Sequence, residues 1–373
     1  MSINKATIFF NLNRTTMVCL ALVLLTTGCS ALEQRRVNQQ FAQLKNNAES
    51  GQIGAQLKIG REYETGQLVE RDIDIALSWY QLAARQGSAE GAYSAAKLML
   101  DQSPEVSNQE IISLLEQSAN QGYAPAQLTL ADFLSTLSVT DTRDQQIYNL
   151  YKAAAEQQVI DAQVNVARLL AEGRGTPRDL ETAVVWYRRA AEQGDKRAQL
   201  ATGNFFLGGV TVPASVKKAL SWFEKSATQG DVQAQSNMGD LLTLDRYATV
   251  RNVNEGARWY LQAANQGHAH AATRLGQLNE TGTGGVDRDI ALAAKWYRQA
   301  AEKGNSSAQC RLGSLYFRGH GVPQDNQEAE RWFNLAAAQV PTGVTTRLGF
   351  IHYDCKEFDA KSVKIPEVLL SDI

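Results

Sequence analysis

Reactive side chains are scarce in this chain of 373 residues, which has only four cysteines and four histidines. No Cys-x-x-Cys pair occurs, which removes the usual zinc and dithiol patterns. No Gly-x-Ser-x-Gly elbow presents a nucleophilic serine. Gly282-Thr283-Gly284-Gly285 has the look of a phosphate loop, but no strand pattern precedes it and no Lys-Ser/Thr follows. His268 and His270 lie two apart at a helix start, His320 falls in a turn and His352 far along the last helix. A metal needs convergent ligands, so these read as solvated or capping side chains. Paired catalytic carboxylates in a cleft, as glycoside hydrolysis requires, have no sequence signal. Charge of one sign is lacking as well: the formal net charge is −2, and the first 28 residues hold Lys5, Arg14 and no acid, leaving −4 from Cys29 on. That balance excludes a nucleic-acid-binding stripe. The sequence therefore reads as no enzyme, with no metal and no cofactor.

What fills the chain instead is one repeated stretch. Trp296-Tyr297-Arg298-Gln299-Ala300-Ala301-Glu302-Lys303-Gly304 recurs as Trp79-Tyr80 to Gly87, Trp186-Tyr187 to Gly194, Trp222-Phe223 to Gly230 and Trp259-Tyr260 to Gly267. Weaker copies are Leu114-Leu115 to Gly122, Leu150-Tyr151 to Gln158 and Trp332-Phe333 to Val340, and a faint first copy ends at Gly51. The end points fall 35 to 37 residues apart, the period of a solenoid. Length alone would suggest two or three domains, but repeats that touch only their neighbours form one elongated body. After each stop glycine comes Ala-Gln, then Leu-Gly, then often an aromatic; Ala308, Leu312 and Leu315-Tyr316 share one helical face. A turn follows, Gly319-His320-Gly321-Val322-Pro323-Gln324-Asp325, with its sister Gly173 to Asp179. Asp325 and Glu328 fit a capping box opening a second helix, which carries Ala329, Trp332, Phe333, Ala336 and Ala337. Each unit is thus an antiparallel helix pair that must stack to bury its faces. In units 88–122 and 123–158 the turn glycines are replaced by Asp101-Gln102-Ser103-Pro104 and Ser135-Thr136-Leu137-Ser138, which predicts stacking with differently shaped turns.

These motifs, over about residues 44–353, resemble the Sel-one-like repeat (SLR) branch of the tetratricopeptide superfamily. The resemblance implies an all-α fold: a right-handed α-solenoid of antiparallel helix pairs, the TPR/SLR superhelix, with about eight full repeats and a terminal half-repeat, Val344 to Tyr353. Residues 354–373 read as a tail or cap over the open end. The aromatic series Tyr63, Phe206 and Tyr316 and the Trp-Tyr pairs sit in core register.

Residues 1–28 read as a secretory signal. Lys5 and Arg14 precede the apolar run Met17–Leu25, which at about nine residues is too short to span a bilayer. Leu25-Thr26-Thr27-Gly28-Cys29-Ser30 resembles bacterial lipoprotein signals, with Thr26 standing where the family pattern has leucine. The resemblance implies a lipid on Cys29, and Ser30 rather than Asp implies sorting to the periplasmic face of a Gram-negative outer membrane; an ordinary signal cut nearby would leave Cys29 a bystander. Residues 29–43 are polar, a tether or capping helix, with no Pro/Gly-rich linker after them.

Cys310 and Cys355 sit nine residues out of phase in equivalent parallel helices, an axial offset of about 13 Å. A disulfide tolerates a Cα separation under about 7 Å, so only a tail that doubles back could join them. If the first helices line a concave face, residues ten after each stop glycine point into it: Arg61, Lys97, Asp132, Arg168, Asn204, Asp240, Gln277 and Ser314. Three of the first four are basic, so Arg61, Lys97 and Arg168 are candidate contacts for an acidic partner or anionic polymer; a solvated face with chance charge order is the alternative.

SLR lipoproteins of this size resemble the outer-membrane component of alginate and similar exopolysaccharide secretion machines. That resemblance implies a non-enzymatic, lipid-anchored scaffold for envelope proteins, with an outer-membrane porin and periplasmic polymer-modifying proteins as partners. Two other readings compete: a periplasmic regulator binding the sensor domain of an inner-membrane kinase, which Ser30 argues against, and a peptidoglycan- or glycan-associated binding protein.

Overall fold

A computed structural model describes residues 35–102, 108–137, 140–209 and 211–339. The signal segment, Cys29, the half-repeat from Val344 and the tail 354–373 lie outside the described residues. Among the described residues no strand occurs. Helix α1 (residues 35–49) takes up most of the polar segment expected to be a tether or cap. Eight pairs follow: α2 (Ile53–Thr65) and α3 (Ile73–Arg85); α4 (Ala89–Gln102) and α5 (Asn108–Ala119); α6 (Ala124–Ser135) and α7 (Asp141–Glu156); α8 (Ile160–Glu172) and α9 (Leu180–Glu192); α10 (Lys196–Gly208) and α11 (Val216–Thr228); α12 (Val232–Thr243) and α13 (Val253–Asn265); α14 (Ala269–Thr281) and α15 (Ile290–Glu302); α16 (Ser306–Arg318) and α17 (Asn326–Ala337). The chain forms two compact units, one up to Leu130 and one from Ala131. In the first, α2, α3, α4 and α5 pack each on the next; in the second, consecutive helices from α7 to α17 do the same. Each unit is an array of solenoid helix pairs.

Local chemistry sets the helix bounds. Asp72, Asp179, Asp289 and Asp325 cap the second helices, each accepting a backbone N–H of the first turn. The capping box at Asp325 is only half formed. Asp325 accepts from the Gln327 and Glu328 N–H groups, but Glu328 pairs with Arg331, and the Asp325 N–H donates to Tyr316 O. Between α12 and α13 the glycine turn is replaced by a 3-10 segment, Asp245–Val250. The altered turn of the 88–122 unit, residues 103–107, lies outside the described residues, yet α4 and α5 still pack as a pair.

The glycine of the Leu-Gly step or its equivalent, present in five of the eight first helices and replaced by Ala96, Ala131 and Ala167 in α4, α6 and α8, has a steric cause. A Cβ at Gly276 would sit 2.5 Å from the Tyr297 ring, at Gly203 2.5 Å from the Phe223 ring, and at Gly60 2.7 Å from the Tyr80 ring. In these pairs the second aromatic therefore lies against a helix that gives up its side chain, and Phe223, Tyr260 and Tyr297 are fully buried there. The second turn glycine does similar work between repeats: a Cβ on Gly321 would lie 2.6 Å from the Ile290 backbone, where α15 of the preceding pair begins. This is why Gly282-Thr283-Gly284-Gly285 is a packing turn, with Gly284 against Val253.

Cys310 is fully buried in α16 and is disulfide-bonded. It is the one cysteine among the described residues, so its partner lies outside them.

Gly276→Ala should destabilise the chain by about 1–3 kcal/mol through overpacking against Tyr297. Gly54→Ala, an exposed helical site with nothing within 4 Å, should be neutral or stabilising by about 0.5 kcal/mol. Urea unfolding of both variants reads the difference.

Candidate partner-binding surface

The first helices (α2, α4 and so on) present a polar face whose side chains bind one another across repeats. In the first unit Arg61 of α2 pairs with Glu90 of α4 at 3.0 Å. In the second, Asp161 of α8 pairs with Arg197 of α10 at 2.5 Å, and Asn237 of α12 donates to Asn204 of α10 at 3.4 Å. His270 of α14 meets Asp240 of α12 at 3.1 Å, and Arg311 of α16 meets Glu280 of α14 at 3.4 Å. The polar face is therefore largely self-satisfied.

The candidate contacts consequently differ from one another. Arg61 is exposed but carries Glu90 as counter-charge. Arg168 is partly buried and held by Glu172 one turn on, at 3.1 Å. Lys97 is exposed, with no carboxylate at ion-pair distance among the described residues. Arg61 and Lys97 belong to the first unit and Arg168 to the second. Of the remaining ladder positions, Asp132 and Asp240 accept hydrogen bonds from tyrosines, Asn204 is buried, Gln277 accepts from Arg274, and Ser314 is half-buried. The expected run of basic charge is thus offset at two of its three positions by acids three to four residues or one repeat away, which a one-residue-per-repeat reading does not see.

Tyrosine–carboxylate pairs are the feature that sequence reasoning missed. Tyr80 donates to Glu64 at 2.6 Å, Tyr151 to Asp132 at 2.6 Å, Tyr260 to Asp240 at 2.6 Å and Tyr297 to Glu280 at 2.7 Å. Burial and the adjacent carboxylate push all four phenols well above their ordinary range. Burial acts against ionisation of Asp240, but His270, the Tyr260 hydroxyl and Arg274 outweigh it and hold its carboxyl below the ordinary value. The signal was present in the sequence as an acid at the ninth or twelfth position of a first helix whose partner helix carries Tyr rather than Phe.

His268 and His270 are engaged by protein groups. His268 caps α14, its Nδ1 accepting the Ala271 N–H, and its Nε2 faces Gln233 at 3.2 Å. Although two apart, the His268 and His270 rings lie 6.3 Å apart, edge to face. Among the described residues no group of three metal-ligating side chains exists. Burial, then the neighbouring His270, lowers His268 from 6.5 to about 4.

On the second helices Trp332 is buried and the other tryptophans are half-buried, and cations cover three of them: Arg189 over Trp186 at 4.8 Å, Lys225 over Trp222 at 4.1 Å and Arg331 over Trp332 at 5.3 Å. A cavity of about 490 Å³ opens beside Trp186, lined also by Arg189, Glu192, Gln193, Glu156 and Gln158. Of the aromatic series, Phe206 is buried, Tyr316 packs on the core and Tyr63 meets Phe41 edge-on at 6.0 Å.

Comparison with known proteins places these features. The sequence profile described as the Sel1 repeat matches residues 53–88, 160–195, 196–231, 232–268, 269–305 and 306–340. The fold is similar to the crystal structure of a protective antigen present in uropathogenic Escherichia coli strains, which displays an SLR fold. The TM-score is 0.71 at 29% identity, covering 80% of this chain and 64% of that one, so the chain spans just under two thirds of that relative's length. It is also similar to a Sel1 repeat protein from Oxalobacter formigenes, with a TM-score of 0.63 at 26% identity over 92% of this chain and 95% of that one. No curated protein sequence matches.

His268 stays neutral in the fold while the unfolded chain titrates at the ordinary 6.5. Its contribution to stability is therefore complete above pH 6.5 and is lost as pH falls toward 4, where protonation also removes the Nδ1 cap. His268→Asn keeps a capping acceptor without the titration. Thermal unfolding across pH 4–7 should show a flatter profile for the variant than for the wild type.

Proposed function

We propose, from the premise that this chain belongs to the Sel1 repeat family, that it is a non-enzymatic, lipid-anchored scaffold of the cell envelope. Sel1 repeat proteins mediate protein–protein interactions as scaffolds, and the six matched repeats carry that part of the reading. The envelope assignment rests on the N-terminal pattern: a positive segment, an apolar run of about nine residues and Gly28-Cys29-Ser30. The buried disulfide at Cys310 supports it, because such bonds persist in oxidising compartments such as the periplasm. The relative that is a protective antigen is in keeping with export. Acyl chains on Cys29 would hold the protein to the periplasmic face of the outer membrane, at about 0.8 kcal/mol per buried methylene.

At that location the partners are envelope proteins. The narrower proposal is exopolysaccharide secretion of the alginate kind, with the scaffold placing an outer-membrane porin and bridging it to periplasmic polymer-modifying proteins. Lys97, with no counter-charge among the described residues, is the strongest of the three basic candidates for an acidic partner surface, ahead of Arg61 and Arg168.

Cys29→Ala should move the protein from the outer-membrane fraction to the soluble periplasm; continued sedimentation with membranes would rule out the lipid anchor. Deletion of the gene should lower exported polymer and porin abundance, and normal levels of both would end the secretion reading while leaving the scaffold intact. Lys97→Glu should reduce in-cell cross-linking to the partner several-fold, with Arg61→Glu weaker in effect because Glu90 already offsets that charge.

A further inference from the structure

The cavity beside Trp186 has a volume of about 490 Å³, within the range of small-ligand sites. Two neighbouring second helices end on its wall. Glu156 closes α7 and Glu192 closes α9, one repeat apart and at the same register. At that register the other second helices carry Arg85, Asn120, Thr228, Asn265, Glu302 and Ala338, so no other two neighbours are both acidic. The placement runs against helix electrostatics, because a C-terminus is the negative end of the macrodipole and favours a cation over a carboxylate. Among the described residues Glu192 has only an exposed pair with Arg188 at 3.4 Å, and a pair of that kind is weak. Glu156 has no cation at ion-pair distance among the described residues.

Two further groups on the wall indicate the chemistry that fits. Trp186 is half-buried, and the Arg189 guanidinium lies 4.8 Å from its ring centroid, so the ring already accepts a flat cation. That cation is exposed on a flexible stem and has no carboxylate at ion-pair distance among the described residues. Gln158 adopts φ 67° where seven of the other copies have glycine. A side chain is disfavoured in that conformation, yet this one lines the cavity, with its amide unengaged among the described residues. Stacking has no use for the amide, since Gly194 and Gly230 serve the same turn without one.

We infer that this cavity takes a cationic side chain, lysine or arginine, of a protein partner. The incoming cation enters between Glu156 and Glu192, exchanges with Arg189 on the face of Trp186, and gains the Gln158 amide oxygen as a further acceptor. Two carboxylates and an aromatic face together give a cation charge-assisted hydrogen bonds and a cation–π contact. A neutral amide side chain receives only part of that, and an acidic one is repelled. Arg189 covers the ring in the free protein and turns into solvent in the complex. The inference rests on the scaffold reading and names the charge that one contact of the second unit selects; Lys97, in the first unit, selects the opposite one.

The test uses the full-length protein at low salt and three blocked pentapeptides, Gly-Gly-Arg-Gly-Gly and its glutamine and glutamate counterparts. The indole N–H resonance of Trp186, identified by its loss in Trp186→Phe, should shift on titration with the arginine peptide and stay in place with the other two. Glu156→Gln and Glu192→Gln should each weaken binding about two- to fivefold, and the double variant about tenfold. Both residues are exposed, so these variants keep the fold. Arg189→Ala should tighten binding about twofold, because it vacates the ring. Gln158→Gly should weaken binding about twofold or more while raising the unfolding temperature, since glycine is at ease in that conformation. An unmoved Trp186 resonance, equal binding of the glutamine peptide, or equal affinity of wild type and double variant would overturn the site. In cells, cross-linking to partners should fall several-fold in the double variant. Undiminished cross-linking would overturn the protein-partner assignment and leave the scaffold reading standing, whereas a wild type that cross-links to nothing would remove the scaffold reading itself.

Discussion

In six of the eight first helices a buried glutamine reaches back to the end of the second helix before it, and the register of the stacked pairs depends on that side chain. Gln199 donates to Ala191 O at the end of the preceding second helix, and its own carbonyl accepts from Gln229 at the end of its partner helix. Gln235 and Gln266 repeat the arrangement, as do Gln309 with Gln339 and, in the first unit, Gln56 with Gln86. The six first-helix glutamines are at most 7% exposed. An amide so placed must find both donors and an acceptor, since leaving one buried polar group unmade costs about 1–3 kcal/mol. Only one axial offset between neighbouring pairs satisfies both ends, so the amide converts non-directional apolar stacking into a fixed register. The ladder lapses twice: α14 has Ala272 in place of the glutamine and the matching end of α15 has Lys303, whereas α4 has Ala92 and the matching end of α5 keeps Gln121.

Around that polar link the packing is unusually thin. The buried set is dominated by alanine, and bulk comes from one aromatic per pair set against a glycine. Small residues let helices approach closely, while the aromatic ring fills the space that the missing Cβ leaves. The same economy explains the tyrosine–carboxylate pairs. A ring buried that deeply carries its hydroxyl across to the first helix, where a carboxylate at the ninth or twelfth position accepts it. Tyr or Phe at this position is consequently decided by residues 16 to 20 places earlier, not by local helix propensity.

The repeat period, the pairing of helices, the capping aspartates and the turn glycines were all legible in the sequence, because each is a local signal repeated many times. Repetition averages away the exceptions that mislead a single reading. What was not legible depends on partners chosen one repeat away. Glu90 is an ordinary solvated glutamate until Arg61 is found 3.0 Å from it. Glu328 fits a capping box by spacing, yet Arg331 takes it. The tyrosine–carboxylate pairs were hidden because two alternative positions supply the acid, so no single column of the repeat displays it.

The consequence for function is that the informative residues are those that break the internal rules. A solenoid spends its repeated residues on stacking, and these are the same whatever it binds. Among the described residues, Lys97 lacks the counter-charge that Arg61 and Arg168 have, Tyr187 lacks the acceptor that four other tyrosines have, and Gln158 adopts φ 67° where seven of the other copies place a glycine. Of these, Gln158 and the helix that carries Tyr187 both border the cavity beside Trp186. The α7–α9 segment is therefore the stretch in which departures from the stacking rules are concentrated.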